Sequence, residues 1–155
     1  IVFFSYHIVL FDQLGYLRIF IWLAIISAFG TDIFAYFVGM ALGKHKLCPK
    51  ISPKKSIEGS VGGIVGSVIL SGIFTMIFAQ NYIMHGCVIG LLGSVVSQFG
   101  DLTASVFKRK MGIKDYGKLI PGHGGILDRF DSVLFTAPVV YYYVSLVIPA
   151  ANLPI

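Results

Sequence analysis

Four stretches of about twenty residues each run almost without charge, and they decide what this chain can fold into. Ile19 to Gly43 carries only Asp32, and Ser60 to Gln80 carries no charge at all. Tyr82 to Gly100 is uncharged before Asp101, and Ser132 to Ala151 is clean. A bilayer core takes about 20 apolar residues per helix, at roughly 1.5 Å each. With 56% hydrophobic and 12% charged residues in 155, the chain lacks the polar surface of a soluble domain. The expected fold is therefore all-α: a polytopic transmembrane helical bundle forming one region over 1–155. Its spans fall at about 19–43, 60–80, 82–106 and 132–151.

Residues 1 to 10 (IVFFSYHIVL) read as the tail of a further span. The chain opens on Ile1, with no initiator Met and no basic n-region. The expectation is the C-terminal portion of a longer membrane protein.

Charge sorts by side. Of twelve Lys and Arg, five lie between the first two spans: Lys44, Lys46, Lys50, Lys54 and Lys55. Six lie between the last two: Lys108, Arg109, Lys110, Lys114, Lys118 and Arg129. Only Arg18 falls elsewhere. The positive-inside rule makes both basic segments cytoplasmic, which four spans satisfy without conflict. The net charge of +5 thus faces anionic lipid and cytosolic phosphates and argues against a nucleic-acid surface. Cys48 and Cys87 lie toward opposite ends of the spans, in no C-x-x-C or zinc spacing.

Asp32 and Tyr36 share a helix face, and Asp32 lies about 18 Å of helix from Lys44, deep in the bilayer. An acid there costs roughly 2.5–3.5 kcal/mol on insertion scales and must face protein or water. A protonated Asp bonded to a neighbouring helix and the wall of a polar cavity are equally open readings. In the second span, Gly59, Gly63 and Ser67 repeat every four residues, as do Gly62 and Gly66, a pattern for close helix packing. Glu58, the only glutamate, sits just ahead of that span at the membrane surface.

Between these spans, GMALGKH is not a phosphate loop: it has three residues between its glycines where four are needed, and His45 follows the Lys. What remains is a Pro-punctuated basic loop with Ser52, Lys54, Lys55 and Ser56 close together. It serves either as a topology determinant or as an anion cradle. At the end of the third span, Asp101, Ser105 and Lys108 stand at i, i+4 and i+7, on one face reaching toward the cytoplasm. A Gly- and Pro-rich loop follows, and Asp128 and Asp131 come at i, i+3 in the opening turn of the last span.

Alone, an acid at a helix start is a cap favoured by the helix dipole. Three of them, Asp101, Asp128 and Asp131, beside a glycine-rich turn are a different matter. A few hard oxygen ligands suit Mg²⁺, which keeps its waters and is completed by substrate phosphates. The neighbouring lysines, Arg129 and the N–H groups of Gly122 to Gly125 suit those phosphates. The residues point to phosphoryl or nucleotidyl transfer at the membrane surface.

The run from Ser105 to Asp131 (SVFKRKMGIKDYGKLIPGHGGILDRFD) resembles the signature of the phosphatidate cytidylyltransferases, or CDP-diacylglycerol synthases. Its Lys-Arg, Lys-Asp, Pro-Gly-His-Gly-Gly and Asp-Arg-x-Asp elements are in register over 27 residues. Asp32 with Ala35-Tyr36, Gly43-Lys44, Ser52-Pro53-Lys54-Lys55 and Glu58-Gly59 resemble the family's earlier motif. The resemblance implies an enzyme that takes CTP and phosphatidic acid and releases pyrophosphate, leaving CDP-diacylglycerol for phospholipid synthesis. It implies Mg²⁺, with a second cation as an open alternative, held by Asp101 and Asp128 with Asp131 close by. Catalytic roles fall to Asp101, Lys108, Arg109, Asp128 and Arg129. Substrate contacts fall to Ser52, Lys54, Lys55, Ser105, Lys114, Gly122, His123, Gly124 and Gly125. The chain departs from the usual pattern in having Ala104 before the signature serine, and Ser56-Ile57 where many members have Thr-Trp.

A phosphate monoester has its second pKa near about 6, so the lipid phosphate is already nucleophilic at neutral pH and no general base is needed. His123 then suits a phosphate hydrogen bond or a turn better than proton transfer. Arg129 either holds a phosphate or pairs with Asp128 or Asp131. The expected setting is an integral membrane protein, its site facing the cytoplasm of a bacterial inner membrane, with a homodimer left open. The alternatives are a CTP-dependent lipid kinase, attacked at the γ-phosphorus, and a cation-coupled transporter using Asp32 and Asp101. No internal repeat of the transporter kind is visible, and the Asp-x-x-Asp-Gly run of the CDP-alcohol phosphotransferases is absent.

Overall fold

The structure, a computed structural model, describes residues 2–11, 19–49, 51–113, 116 and 127–148, and for residues 4, 5 and 127–129 the backbone alone. Its helices are α1 (Val2–Leu10), α2 (Ile21–Leu42), α3 (Ile57–Phe78), α4 (Ile83–Lys110) and α5 (Leu127–Val147). Four of them are long and apolar enough to cross a membrane. A 3₁₀ turn at Gln80–Tyr82 joins α3 to α4.

The helices pack by an inside-out rule. The buried side of α3 is Gly59, Gly63, Gly66, Ser67, Ser71 and Thr75, while Val61, Val65, Ile69 and Ile73 face outward. Lipid is as apolar as leucine, so burying large side chains gains little there, and small residues that let backbones close up take the interface. A Cβ added to Gly59 would stand 2.6 Å from the Ala35 carbonyl oxygen, and one on Gly63 2.8 Å from that of Thr31. The small-residue pattern of this span is thus the α2–α3 contact. Ser67 Oγ lies 3.2 Å from the carbonyls of both Ser27 and Gly90, at the meeting of α2, α3 and α4. Toward the end of the bundle away from the basic segments, Phe11, Phe20, Leu23, Ile89, Val140 and Val144 form an apolar cluster.

The ends of the spans differ from expectation for local reasons. Helix α3 begins at Ile57, three residues early, because Ser56 caps it: its side chain accepts the Gly59 N–H at 3.1 Å. Helix α4 continues to Lys110, and its 28 residues make about 42 Å, longer than the hydrocarbon core. Its charged last turns therefore project beyond the apolar part. It stops in a Schellman motif: Gly112 N–H bonds to the Arg109 carbonyl at 3.1 Å and Ile113 N–H to that of Lys108 at 3.0 Å. Gly112 sits at φ +67°, where a side chain is strained.

The segment expected as a Pro-punctuated basic loop is instead an antiparallel hairpin of β1 (Lys46–Cys48) and β2 (Ser52–Ser56). Lys46 pairs with Ser56, and Cys48 with Ser52. Proline and lysine are poor strand formers, but an edge strand spares Pro53 a ladder bond. The helix ends then lock the ribbon in place. Ile57 N–H bonds to the His45 carbonyl at 2.9 Å. Glu58 accepts the His45 N–H at 3.2 Å and pairs with its ring Nδ1 at 2.7 Å.

Candidate active site

The hairpin covers one end of the bundle, and beneath it lies an open cavity of about 240 Å³. Helix α2 lines it with Asp32, Ala35 and Tyr36, the hairpin with Leu47, Lys54, Lys55 and Ser56. Gly59 and Ser60 of α3 and Gln98 and Asp101 of α4 complete the wall. Both sequence readings of Asp32 had it facing away from lipid; here it lines this cavity, with Tyr36 one turn on, and also bonds to Ser132 of α5.

Lys55 and Asp101, 46 positions apart, form a direct ion pair across this cavity. On the same face of α4, Ser105 Oγ donates to Asp101 Oδ1 over a long 3.5 Å. One turn further, Lys108 Nζ is 4.0 Å from Asp131 Oδ2, both side chains largely covered. Lys108 also lies 5.3 Å from the ring centre of Tyr116. Asp131 is buried and accepts the Ser132 N–H at 2.7 Å. Asp32, Asp101 and Asp131, from three helices, lie within electrostatic reach of one another, with Lys55 and Lys108 among them. Carboxylates gathered so closely repel, and lysines or a cation must offset that.

Of the expected site residues, the structure brings together Asp101, Lys54, Lys55 and Ser105, with Lys108 and Asp131 in the adjoining layer. Ser52 and Arg109 stand apart from the cavity. Ser52 pairs with Cys48 in the ribbon, and Arg109 Nε donates to the Ile51 carbonyl at 3.5 Å, pinning the hairpin turn to α4. Lys114, Gly122, His123, Gly124 and Gly125 lie outside the described residues. The backbones of Asp128 and Arg129 form part of the first turn of α5, as their spacing predicts, and their side chains also lie outside the description.

Gln98 and Ser60 were missed. Ser60 Oγ donates to Gln98 Oε1, and Gln98 Nε2 donates to the Ser60 carbonyl at 3.0 Å. The available signal was Gln98's place three residues before Asp101, on the same face of an apolar span.

Among the described residues, no three His, Cys, Asp or Glu side chains form a group that could hold a metal ion. A divalent ion such as Mg²⁺ still suits the donor set. It binds through one or two carboxylates and keeps waters and phosphate oxygens for the rest, and the acids present offer hard oxygens only.

A sequence profile of the cytidylyltransferase family matches residues 1–147. The chain is 46% identical over 137 residues to a phosphatidate cytidylyltransferase of Bacillus subtilis, covering 87% of this chain and 50% of that protein. It is 61% identical over 67 residues to one from Synechocystis, covering 43% of this chain and 23% of the relative. A Staphylococcus aureus phosphatidate cytidylyltransferase is 45% identical over 111 residues, covering 70% and 42%. The chain spans half or less of the length of these relatives.

Proposed function

The chain belongs to the cytidylyltransferase family, and on that premise we propose that it transfers CMP from CTP to phosphatidic acid, giving CDP-diacylglycerol and pyrophosphate. The observation that carries this reading is the convergence of Lys54, Lys55 and Asp101 on one cavity beside the projecting basic end of α4. That is where a soluble polyanion meets a membrane-embedded one. The names of the relatives support the same substrates.

In this reading an unesterified phosphate oxygen of the lipid attacks the α-phosphorus of CTP. The bond from that phosphorus to the bridging oxygen breaks, and its electron pair leaves with pyrophosphate. The lipid phosphate, with its second pKa near about 6, needs no proton removed at neutral pH. The protein's work is then alignment and charge neutralisation. Lys54 and Lys55 bind phosphate oxygens from the hairpin, Lys108 adds positive charge from α4, and the Ser60–Gln98 pair keeps the cavity wall in register. Asp101 and Asp128, with Asp131 near, would hold Mg²⁺, which when bound supplies positive charge to the phosphate oxygens. The basic segments orient the site to the cytoplasmic face of the membrane.

The test uses the full-length protein in detergent with CTP, phosphatidic acid and Mg²⁺, following pyrophosphate and lipid product together. Equal amounts of pyrophosphate and CDP-diacylglycerol are expected, with loss of both in Asp101→Asn. Formation of CDP without pyrophosphate would move the attack to the γ-phosphorus and overturn the reading.

A further inference from the structure

The carboxylate that the proposed function gives to a divalent ion is already occupied by part of the protein. Lys55 Nζ lies on Asp101 Oδ2, while Oδ1 has, among the described residues, the long contact from Ser105. The two side chains are 28% and 24% exposed, so water screens the pair only in part. Lys55 comes from β2, a ribbon tied down at His45, Ile57 and Ile51, so the ammonium is delivered by the fold rather than by a wandering surface chain.

This placement sets up a competition. A divalent ion arriving alone at Asp101 must displace the ammonium, which then loses its direct partner and keeps only the longer-range attraction of Asp32 in a cavity it shares with Lys54. The ion's gain is reduced by the lost ion pair and by the repulsion between the two lysines. A nucleotide triphosphate changes that balance, because it brings anionic oxygens to which the displaced ammonium can turn. We propose that Lys55 is a built-in occupant of the cation's carboxylate, moving from Asp101 to phosphate so that divalent ion and nucleotide bind as a coupled pair. The proposal rests on the reading of Asp101 as a cation ligand. Coupling of this kind is reciprocal: each ligand strengthens the other by the same factor. Its use is to keep the site closed to free divalent ions while it is empty of substrate.

The test is direct Mn²⁺ binding to the full-length protein in detergent, read by electron paramagnetic resonance with no nucleotide and no lipid present. Lys55→Met keeps the aliphatic stem and removes the charge, and Lys55→Gln serves as a second variant should the apolar tip disturb the ribbon. Either should bind Mn²⁺ about fivefold more tightly than the parent protein, and more tightly than Lys54→Met, which removes a charge from the same cavity but not from Asp101. Lys55→Arg, which keeps a cation on the carboxylate, should bind as weakly as the parent. Affinity in the Lys55 variants no higher than in the parent or in Lys54→Met overturns the proposal, even while Asp101→Asn still abolishes binding. If Asp101→Asn retains full Mn²⁺ affinity, the assignment of Asp101 as a ligand falls, and this proposal with it.

Discussion

Ser60 and Gln98 hold α3 and α4 together at the cavity wall by two bonds of opposite sense. The hydroxyl of Ser60 donates to the amide oxygen of Gln98, whose amide nitrogen donates to the backbone carbonyl of Ser60. Inter-helix hydrogen bonds in membranes average only ~0.6 kcal/mol, with a maximum near ~1.7. Gln98→Leu removes both bonds and should destabilise the protein by about 1–2 kcal/mol. Ser60→Ala removes one and should cost less. A double-mutant cycle followed by denaturation in detergent measures the coupling, and a value of zero would show that the two side chains act independently.

The α2–α3 interface should be intolerant of even one methyl group. A Cβ at residue 63 would meet the Thr31 carbonyl oxygen at 2.8 Å and the Ala35 Cβ at 3.1 Å, so Gly63→Ala must push two backbones apart. Overpacking of this kind costs about 1–3 kcal/mol. Val65→Leu, on the outward face of the same helix, should change stability by less than about 0.5 kcal/mol. Thermal unfolding of both variants in one detergent checks the contrast, and equal losses would contradict the interface described.

Asp101→Asn separates chemistry from stability. Its side chain lines an open cavity and its ion pair is partly hydrated, so the expected stability change is under about 1 kcal/mol. Under the proposed function, turnover by the full-length protein should fall by about 10²–10³-fold, the scale of removing one electrostatic stabiliser. A well-folded Asn variant with near-parental turnover would remove Asp101 from the site.

Glu58 is placed to hold the hairpin over the cavity. Glu58→Ala frees the His45 N–H and ring, leaving the Ile57–His45 backbone bond and the long Arg109–Ile51 bond to secure the ribbon. Hydrogen exchange should become faster at the amides of residues 45–57 and stay unchanged in the small-residue core of α4. A uniform increase along the chain would point to global destabilisation, and no increase would show that the clamp is idle.

At the end of α4, Gly112 adopts φ +67° with open space around the position of a Cβ. Gly112→Ala meets no clash and should cost only the backbone term, about 1–2 kcal/mol. Asn tolerates this conformation better, so Gly112→Asn should recover part of the loss in the same unfolding measurement.

The features legible in the sequence are those that obey a local period. Bilayer thickness and helical rise place the four long helices to within a few residues of 19–43, 60–80, 82–106 and 132–151. The four-residue repeat at Gly59, Gly63 and Ser67 announces a close contact, and the spacing of Asp101, Ser105 and Lys108 places them on one helix face. Basic residues on alternate connections put the hairpin and the end of α4 together, as the Arg109–Ile51 bond shows. None of these inferences needs to know which helix lies beside which.

What only the tertiary structure decided is long-range. A strand such as Ser52–Ser56, with its proline and two lysines, carries no strand period; it forms because the ends of α2 and α3, gripped through His45, Ile57 and Glu58, bring its partner alongside. The sequence leaves open whether Asp32 meets a helix or a cavity, because that depends on where α3, α4 and the hairpin come to rest. The same holds for Lys55 on Asp101 and Ser60 on Gln98, pairs 46 and 38 positions apart. A helical period states which residues share a face, but the neighbour met by that face is chosen by packing: here, by how closely the glycines of α3 let α2 approach, and Gly86 and Gly90 of α4 let α3 approach.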